Sequence, residues 1–225
     1  MSEKTIEPIA RIRTDFPGKF GVPRQAGIVE ELEGIIEFEK EYADRETIRG
    51  IEEFSHLWLI WGFSENEGWS PTVRPPRLGG NVRKGVFATR SPFRPNGLGL
   101  SCVRLLRVEN SSKGMPKLIV GGADMVDGTP IYDIKPYIPY ADCRADARSG
   151  FAPDPGKKLI VEIPEEIEEA IPEGKRAALR ELLSLDPRPQ YLEPGEREYG
   201  FGFAGYEIRF RVREGRLELL SAEKK

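Results

Sequence analysis

The chain has 225 residues, room at about 150 residues per domain for one domain plus a small appendage, which excludes a large multidomain enzyme. Its 34 Lys and Arg against 37 Asp and Glu leave a net charge of −3, an average that argues against a bulk polyanion binder. Hydrophobic residues at 39% supply a sizeable core, and 24 Gly with 19 Pro predict many turns and a loop-rich β architecture. The longest apolar run, LWLIWGF at 57–63, is far below the ~18 residues that span a bilayer, so no membrane helix is expected. The opening MSEKTIEPIARIRTDF carries charges where a signal peptide needs a continuous apolar stretch, which predicts a cytoplasmic protein. Cys102 and Cys143 form no CxxC, and no His, Cys and carboxylate cluster has ligand spacing, so neither a disulfide scaffold nor a metal centre is expected.

In chain order, Ala10, Ile12 and Thr14 alternate with Arg11 and Arg13, and Ile36 and Phe38 with Glu37 and Glu39, the period-2 pattern of half-buried strands. Between them PGKFGVPRQAG (17–27) has two Pro and three Gly and reads as a loop. Residues 55–63 are apolar on both faces and fit a central strand, with further strands over 98–108 and 117–120. These segments predict an antiparallel barrel or sandwich. After PDPG (153–156), KLIVEI reads as a strand, and Pro164 with Glu165 and Glu166 opens a short helix. Ala178, Leu179, Leu182 and Leu183 recur at helical spacing until Asp186 and Pro187 stop them. Ile208, Phe210 and Val212 then alternate with arginines, turn at Glu214 and Gly215, and return through Leu217 and Leu219. The expected organisation is a β domain over 1–152 and a small α+β domain over 157–225.

Charge is segregated along the chain. Residues 28–67 hold twelve acidic side chains against Lys40, Arg45 and Arg49, a balance of −9, whereas residues 71–107 hold eight basic ones and no acidic one. Seven of those eight are arginines, whose planar fork suits phosphate and carboxylate, so this segment predicts an anionic ligand: RNA, a nucleotide or a carboxylate-bearing metabolite.

Individual motifs are less specific. Gly200, Gly202 and Gly205 in GFGFAG satisfy GxGxxG, but the following YEIRFRVR alternates like a strand, and twenty residues cannot complete a βαβ unit. His56, the sole histidine, enters an apolar strand and is either a hydrogen-bonded structural residue or a catalytic one. In GVFATRSPFRPNGLGLS (85–101), Arg90 and Arg94 sit in a loop stiffened by proline and opened by glycine. RPPRLGG (74–80) repeats that chemistry with Arg74 and Arg77. DMVDGTPIYDIKPY (124–137) places Asp124, Asp127 and Asp133 around a turn that Asp127 and Gly128 could simply form.

Taken together, PRQAG (23–27), RGIEEFSHLW (49–58), RPPRLGG, GVFATRSPFRPNGLGLS, DMVDGTPIYDIKPY and DPRPQY (186–191) occur in the order found in the TsaA/TrmO family, and the resemblance covers nearly the whole chain. It implies an S-adenosylmethionine-dependent methyltransferase acting on N6 of threonylcarbamoyladenosine next to the anticodon of tRNA. It also implies a mainly β fold, a single-sheeted antiparallel β-barrel with a small C-terminal α+β domain, and a homodimer. By motif, the implied cofactor contacts are Pro23, Arg24, Gln25, Ser64, Glu65, Arg90, Leu100, Asp124 and Asp127. Arg74, Arg77 and Arg94 are the expected substrate-binding residues within the basic segment.

A sulfonium needs acceptors, which Asp124 or Asp127 could supply, while an arginine could bind the cofactor carboxylate and Gln25 could read adenine. The N6 proton must also leave; Asp127 is the first candidate base and His56 the second. The resemblance implies that DPRPQY faces either RNA or a partner protomer. The competing readings are a non-catalytic RNA- or nucleotide-binding barrel and a methyltransferase for a small anionic metabolite.

Overall fold

The computed structural model describes residues 5–154, 156–188 and 197–225. The N-terminal part contains β1 (Ala10–Arg13), β2 (Glu33–Phe38), β3 (His56–Gly62), β4 (Thr72–Val73), β5 (Lys84–Gly85), β6 (Leu98–Asn110), β7 (Pro116–Gly121) and β8 (Pro130–Pro136). Six of these build one antiparallel sheet in the order β1-β2-β7-β6-β3-β8. β1 pairs on its other side with β8, Ala10 opposite Ile131 and Arg11 opposite Pro130, so the hydrogen-bonded order returns to its start. The apolar member of each alternating pair turns inward: Ala10, Ile12, Ile36, Leu57, Leu59, Val103, Leu118 and Val120 are buried in one cluster. β3 is central as expected, flanked by β6 and β8. β4 and β5 form a separate two-stranded ribbon, and four of the eight basic residues, Arg74, Arg77, Arg83 and Lys84, lie within it.

A short helix α1 (Pro139–Asp142) precedes the C-terminal part, which comprises β9 (Ile160–Glu162), α2 (Glu165–Ala170), α3 (Glu173–Ser184), β10 (Glu198–Phe203), β11 (Tyr206–Arg213) and β12 (Arg216–Lys224). Its own sheet runs β10-β11-β12-β9, with β9 parallel to β12. Ala178, Leu179, Leu182 and Leu183 all face inward from α3, as their spacing predicts. GFGFAG belongs to the β10–β11 hairpin, where Gly205 at φ +81 makes the turn. It therefore opens no helix and offers no dinucleotide site.

The C-terminal part does not own its core alone. Phe16, Val29 and Leu32, all from the N-terminal part, are buried among the α3 leucines and the β10–β12 aromatics, and Phe20 and Val22 pack against the same cluster. Asp15 seals this junction twice. Its main-chain oxygen accepts from Ala204 N at 2.9 Å, and its carboxylate binds Lys175 Nζ at 2.6 Å.

Candidate functional site

A cavity of about 530 Å³ opens beside β3 and β6, within the ~300–1,000 Å³ range of small-molecule sites. Four sequence segments converge on it. The 17–27 loop contributes Pro23, Arg24 and Gln25; the end of β3 contributes Ser64 and Glu65; the 85–101 motif contributes Arg90, Arg94 and Leu100; and the turn after β7 contributes Asp124. Its apolar wall includes Val22, Trp61, Phe63, Leu98 and Met125. The apolar run at 57–63 thus supplies wall as well as core.

A hydrogen-bonded chain fixes the floor. Gly99 lies opposite Trp61 across β3 and β6, and a Cβ at Gly99 would fall inside the Trp61 ring, so only glycine lets the indole lie over β6. From there Trp61 Nε1 donates to Ser101 Oγ at 2.9 Å, and Ser101 Oγ donates to Asp124 Oδ1 at 2.6 Å. The GLGLS motif therefore places the Asp124 carboxylate. Burial pushes the Asp124 pKa above the ordinary aspartate value; the hydrogen bond from Ser101 and the nearby Arg90 charge oppose that only in part. Above it, the Arg90 guanidinium donates to Gln25 Oε1, joining the 85–101 motif to the 17–27 loop. Burial lowers the Arg24 pKa, which the Asp186 charge offsets in part.

The two expected bases lie elsewhere. The Asp127 carboxylate accepts from Thr14 N at 3.0 Å and faces Arg13 Nη1 at 3.6 Å, while its own N–H donates to Phe16 O. It ties the turn after β7 to the end of β1 and does not line the cavity. Its four-residue motif, Asp124 to Asp127, splits its two carboxylates between a cavity and a turn. His56 Nδ1 is 2.9 Å from Ser55 Oγ, and its ring sits edge-on to Tyr137 outside the cavity wall. Asp133 lies on β8, where it accepts from Ile134 N and pairs with Lys135.

The basic segment divides in two. Arg104 pairs with Glu30 at 3.6 Å, and Arg107 pairs with Glu33 at 3.2 Å and Glu109 at 2.5 Å, so Glu30 and Glu33 of the acidic stretch, with the neighbouring Glu109, engage these β6 arginines. Among the described residues, Arg74, Arg77, Arg83, Lys84 and Arg94 have no carboxylate partner, and Arg90 has the Asp124 charge nearby. Arg94 Nη1 donates to the Thr89 and Ser91 carbonyls and holds its own loop, while Arg77 donates to Asp154 O. Arg74 and Arg77 stand outside the cavity wall, whereas Arg94 lines it. In DPRPQY, Asp186 and Arg188 form a two-point ion pair with both contacts at 2.8 Å. Residues 189–191 lie outside the described residues.

No group of three metal-ligating side chains occurs among the described residues, and no helix among them is long and apolar enough to cross a membrane. The chain is similar along its length to proteins of known name. It is 40% identical over 234 residues to the tRNA (adenine(37)-N6)-methyltransferase of Escherichia coli K12, covering 99% of both chains. It is 46% identical to the protein of that name from Eikenella corrodens, over 72% of this chain and 93% of the relative. A crystal structure of TrmO from Pseudomonas aeruginosa superposes with a TM-score of 0.79 at 34% identity, covering 100% of this chain and 99% of that one. Family models for the tRNA-methyltransferase O N-terminal domain and the TrmO C-terminal domain match residues 11–143 and 157–225. With both models matched and the similarity running from end to end, the chain belongs to the tRNA-methyltransferase O family.

Proposed function

We propose that this chain transfers a methyl group from S-adenosylmethionine to N6 of threonylcarbamoyladenosine next to the anticodon in tRNA. The observation that carries the reading is the convergence of three separate loop motifs and the Asp124 carboxylate on one cavity. The lining suits the cofactor: apolar and aromatic wall for an adenosine, Arg24 and Arg90 for a carboxylate, and an anionic oxygen for a positively charged sulfur. When bound, S-adenosylmethionine supplies a methyl group on a sulfonium, whose departure leaves a neutral thioether.

The protein's part is chiefly to position the reactants and to take a proton. The N6 nitrogen of a carbamoylated adenine shares its lone pair with both the ring and the carbonyl, so losing its proton restores nucleophilicity. Asp124 replaces Asp127 and His56 as the acceptor, because it lines the cavity and they do not, and burial makes its carboxylate more basic than an ordinary aspartate. Arg90 also holds the Gln25 amide, so one guanidinium orders two parts of the site. The unpaired cations of the 71–94 segment would meet the RNA phosphates and the threonyl carboxylate. The six-stranded sheet acts as a barrel with residues 1–152, residues 157–225 form the second domain, and the protein works as a cytoplasmic homodimer. Sedimentation of the intact protein tests the dimer.

The deciding assay combines the protein, labelled S-adenosylmethionine, and tRNA that carries or lacks threonylcarbamoyladenosine. Label only in the modified tRNA is the expected result. Label in neither would favour a non-catalytic RNA- or nucleotide-binding barrel, and label in a small anionic metabolite without RNA would overturn the substrate.

A further inference from the structure

We infer that Phe87 and Phe93, with Trp69 beside them, form a stacking platform for unpaired bases of single-stranded RNA at the cavity mouth. The inference rests on the tRNA reading above and adds how the strand is gripped. All three are large aromatics left open to solvent: Phe87 is 77% exposed, Trp69 59% and Phe93 43%. Their placement is built by the main chain. Ser70 N donates to Phe93 O at 3.2 Å and Val86 N to Pro71 O at 3.0 Å, and the β4–β5 pair lies between those contacts, so the three residues share one lobe. Phe93 stands between Pro92 and Arg94, both of which line the cavity, and Phe87 is two residues before Thr89, which also does. The platform therefore borders the site.

Charge decides the occupant. The aromatics are interleaved with Arg74, Arg83 and Lys84, none of which has a carboxylate partner among the described residues, and Arg83 donates to Thr72 Oγ1 instead. A surface kept for a neutral apolar partner would bury these uncompensated cations at a cost. A polyanion with flat unpaired bases satisfies both features together, since phosphates meet the cations and every base offers a face to an aromatic ring. An adenine must also leave its stack to reach Asp124, and neighbours held on aromatic rings keep it out.

The experiment measures binding of a synthetic anticodon stem-loop RNA by fluorescence anisotropy for wild type, Phe93→Leu, Phe93→Trp and Phe87→Leu, with S-adenosylmethionine affinity and sedimenting mass measured in parallel. These positions are exposed, so the variants should fold. Stacking predicts that each leucine variant loses RNA affinity on the order of 5- to 150-fold, that Phe93→Trp keeps it, and that cofactor affinity is unchanged. Leucine variants that bind RNA like wild type would overturn the platform while leaving methylation of tRNA by the wild type intact. A drop in sedimenting mass would overturn it by assigning the surface to a second copy of the chain. Wild-type protein that neither binds nor methylates RNA would instead remove the functional reading and the platform with it.

Discussion

The Arg24 guanidinium donates to the main-chain oxygen of Asp186 at 3.3 Å, joining a cavity-lining loop to a residue 162 positions away. Asp186 holds a left-handed backbone at φ 54, uncommon for a side-chain-bearing residue. On the same loop, Phe20 meets Phe201 edge-on at 6.2 Å, and Gly21 lies against the Phe201 ring with no room for a Cβ. The C-terminal sheet therefore braces the 17–27 loop from behind.

Removing that brace should be felt in the cavity. Phe201→Ala is expected to cost about 3–5 kcal/mol of stability and also to weaken cofactor binding, because Phe20 and Gly21 lose their support. Leu217→Ala, in the same core but opposite Val212 and Val161 on the neighbouring strands, should cost roughly 2–5 kcal/mol with cofactor affinity unchanged. Thermal unfolding and cofactor titration of both variants check this, and an equal loss of affinity in both would refute the brace.

Asp124→Asn separates chemistry from stability by sign. Burial holds the folded pKa of Asp124 above its unfolded value of about 3.9. Between those two values the folded state binds more protons, so stability declines as pH rises through the window. Asparagine cannot ionise and still accepts from Ser101. The variant should therefore lose that decline and match or exceed wild-type stability at pH 7, while turnover falls on the order of 10²–10⁴-fold. Wild-type rate should rise with pH through a group titrating above an ordinary aspartate, and the variant should lack that limb. Denaturation midpoints and single-turnover rates across pH measure both; unaltered turnover would exclude Asp124 as the base.

Gly99→Ala tests the floor of the cavity. The new methyl group displaces the Trp61 ring from β6 and breaks its hydrogen bond to Ser101, which releases the orientation of Asp124. The expected stability cost is about 1–3 kcal/mol from overpacking, with a larger fall in turnover than Ser101→Ala produces. Tryptophan fluorescence and steady-state rates distinguish displacement of Trp61 from loss of the Ser101 hydroxyl alone.

Strands and helices that bury one regular face were legible in the sequence. β1, β2, β3, β6, β7, α3 and the β11–β12 hairpin follow their hydrophobic periods. β8 was not predicted, because it begins and ends in proline, carries Asp133 and Lys135, and pairs with β3 across a register shift at Ile60 and Trp61 that breaks the alternation. The cofactor-contact positions from the loop motifs converge, except Asp127, and the expected bases, Asp127 and then His56, both lie outside the cavity wall. Asp124 and Asp127 share one short motif, and only the fold decides which carboxylate enters the cavity. Trp61 and Ser101 were missed for a related reason: a Trp in an apolar run and a Ser in a strand read as packing until the sheet sets them side by side.

Charge counted along the sequence overstated the basic segment, and its correction yields a differential prediction. Arg107 is already engaged by Glu33 and Glu109, whereas Arg74 and Lys84 have no carboxylate partner among the described residues. If RNA lies across the 71–94 lobe, each cation that meets a phosphate contributes about 0.7 to the slope of log affinity against log salt for a single strand. Arg74→Gln and Lys84→Gln should each weaken tRNA binding and flatten that slope by about this amount. Arg107→Gln should leave the slope unchanged, since it removes a charge whose field Glu33 and Glu109 already cancel. Binding titrations at several salt concentrations compare the three variants. A flattening by Arg107→Gln equal to that of the other two would move the RNA path from the lobe onto the outer face of β6.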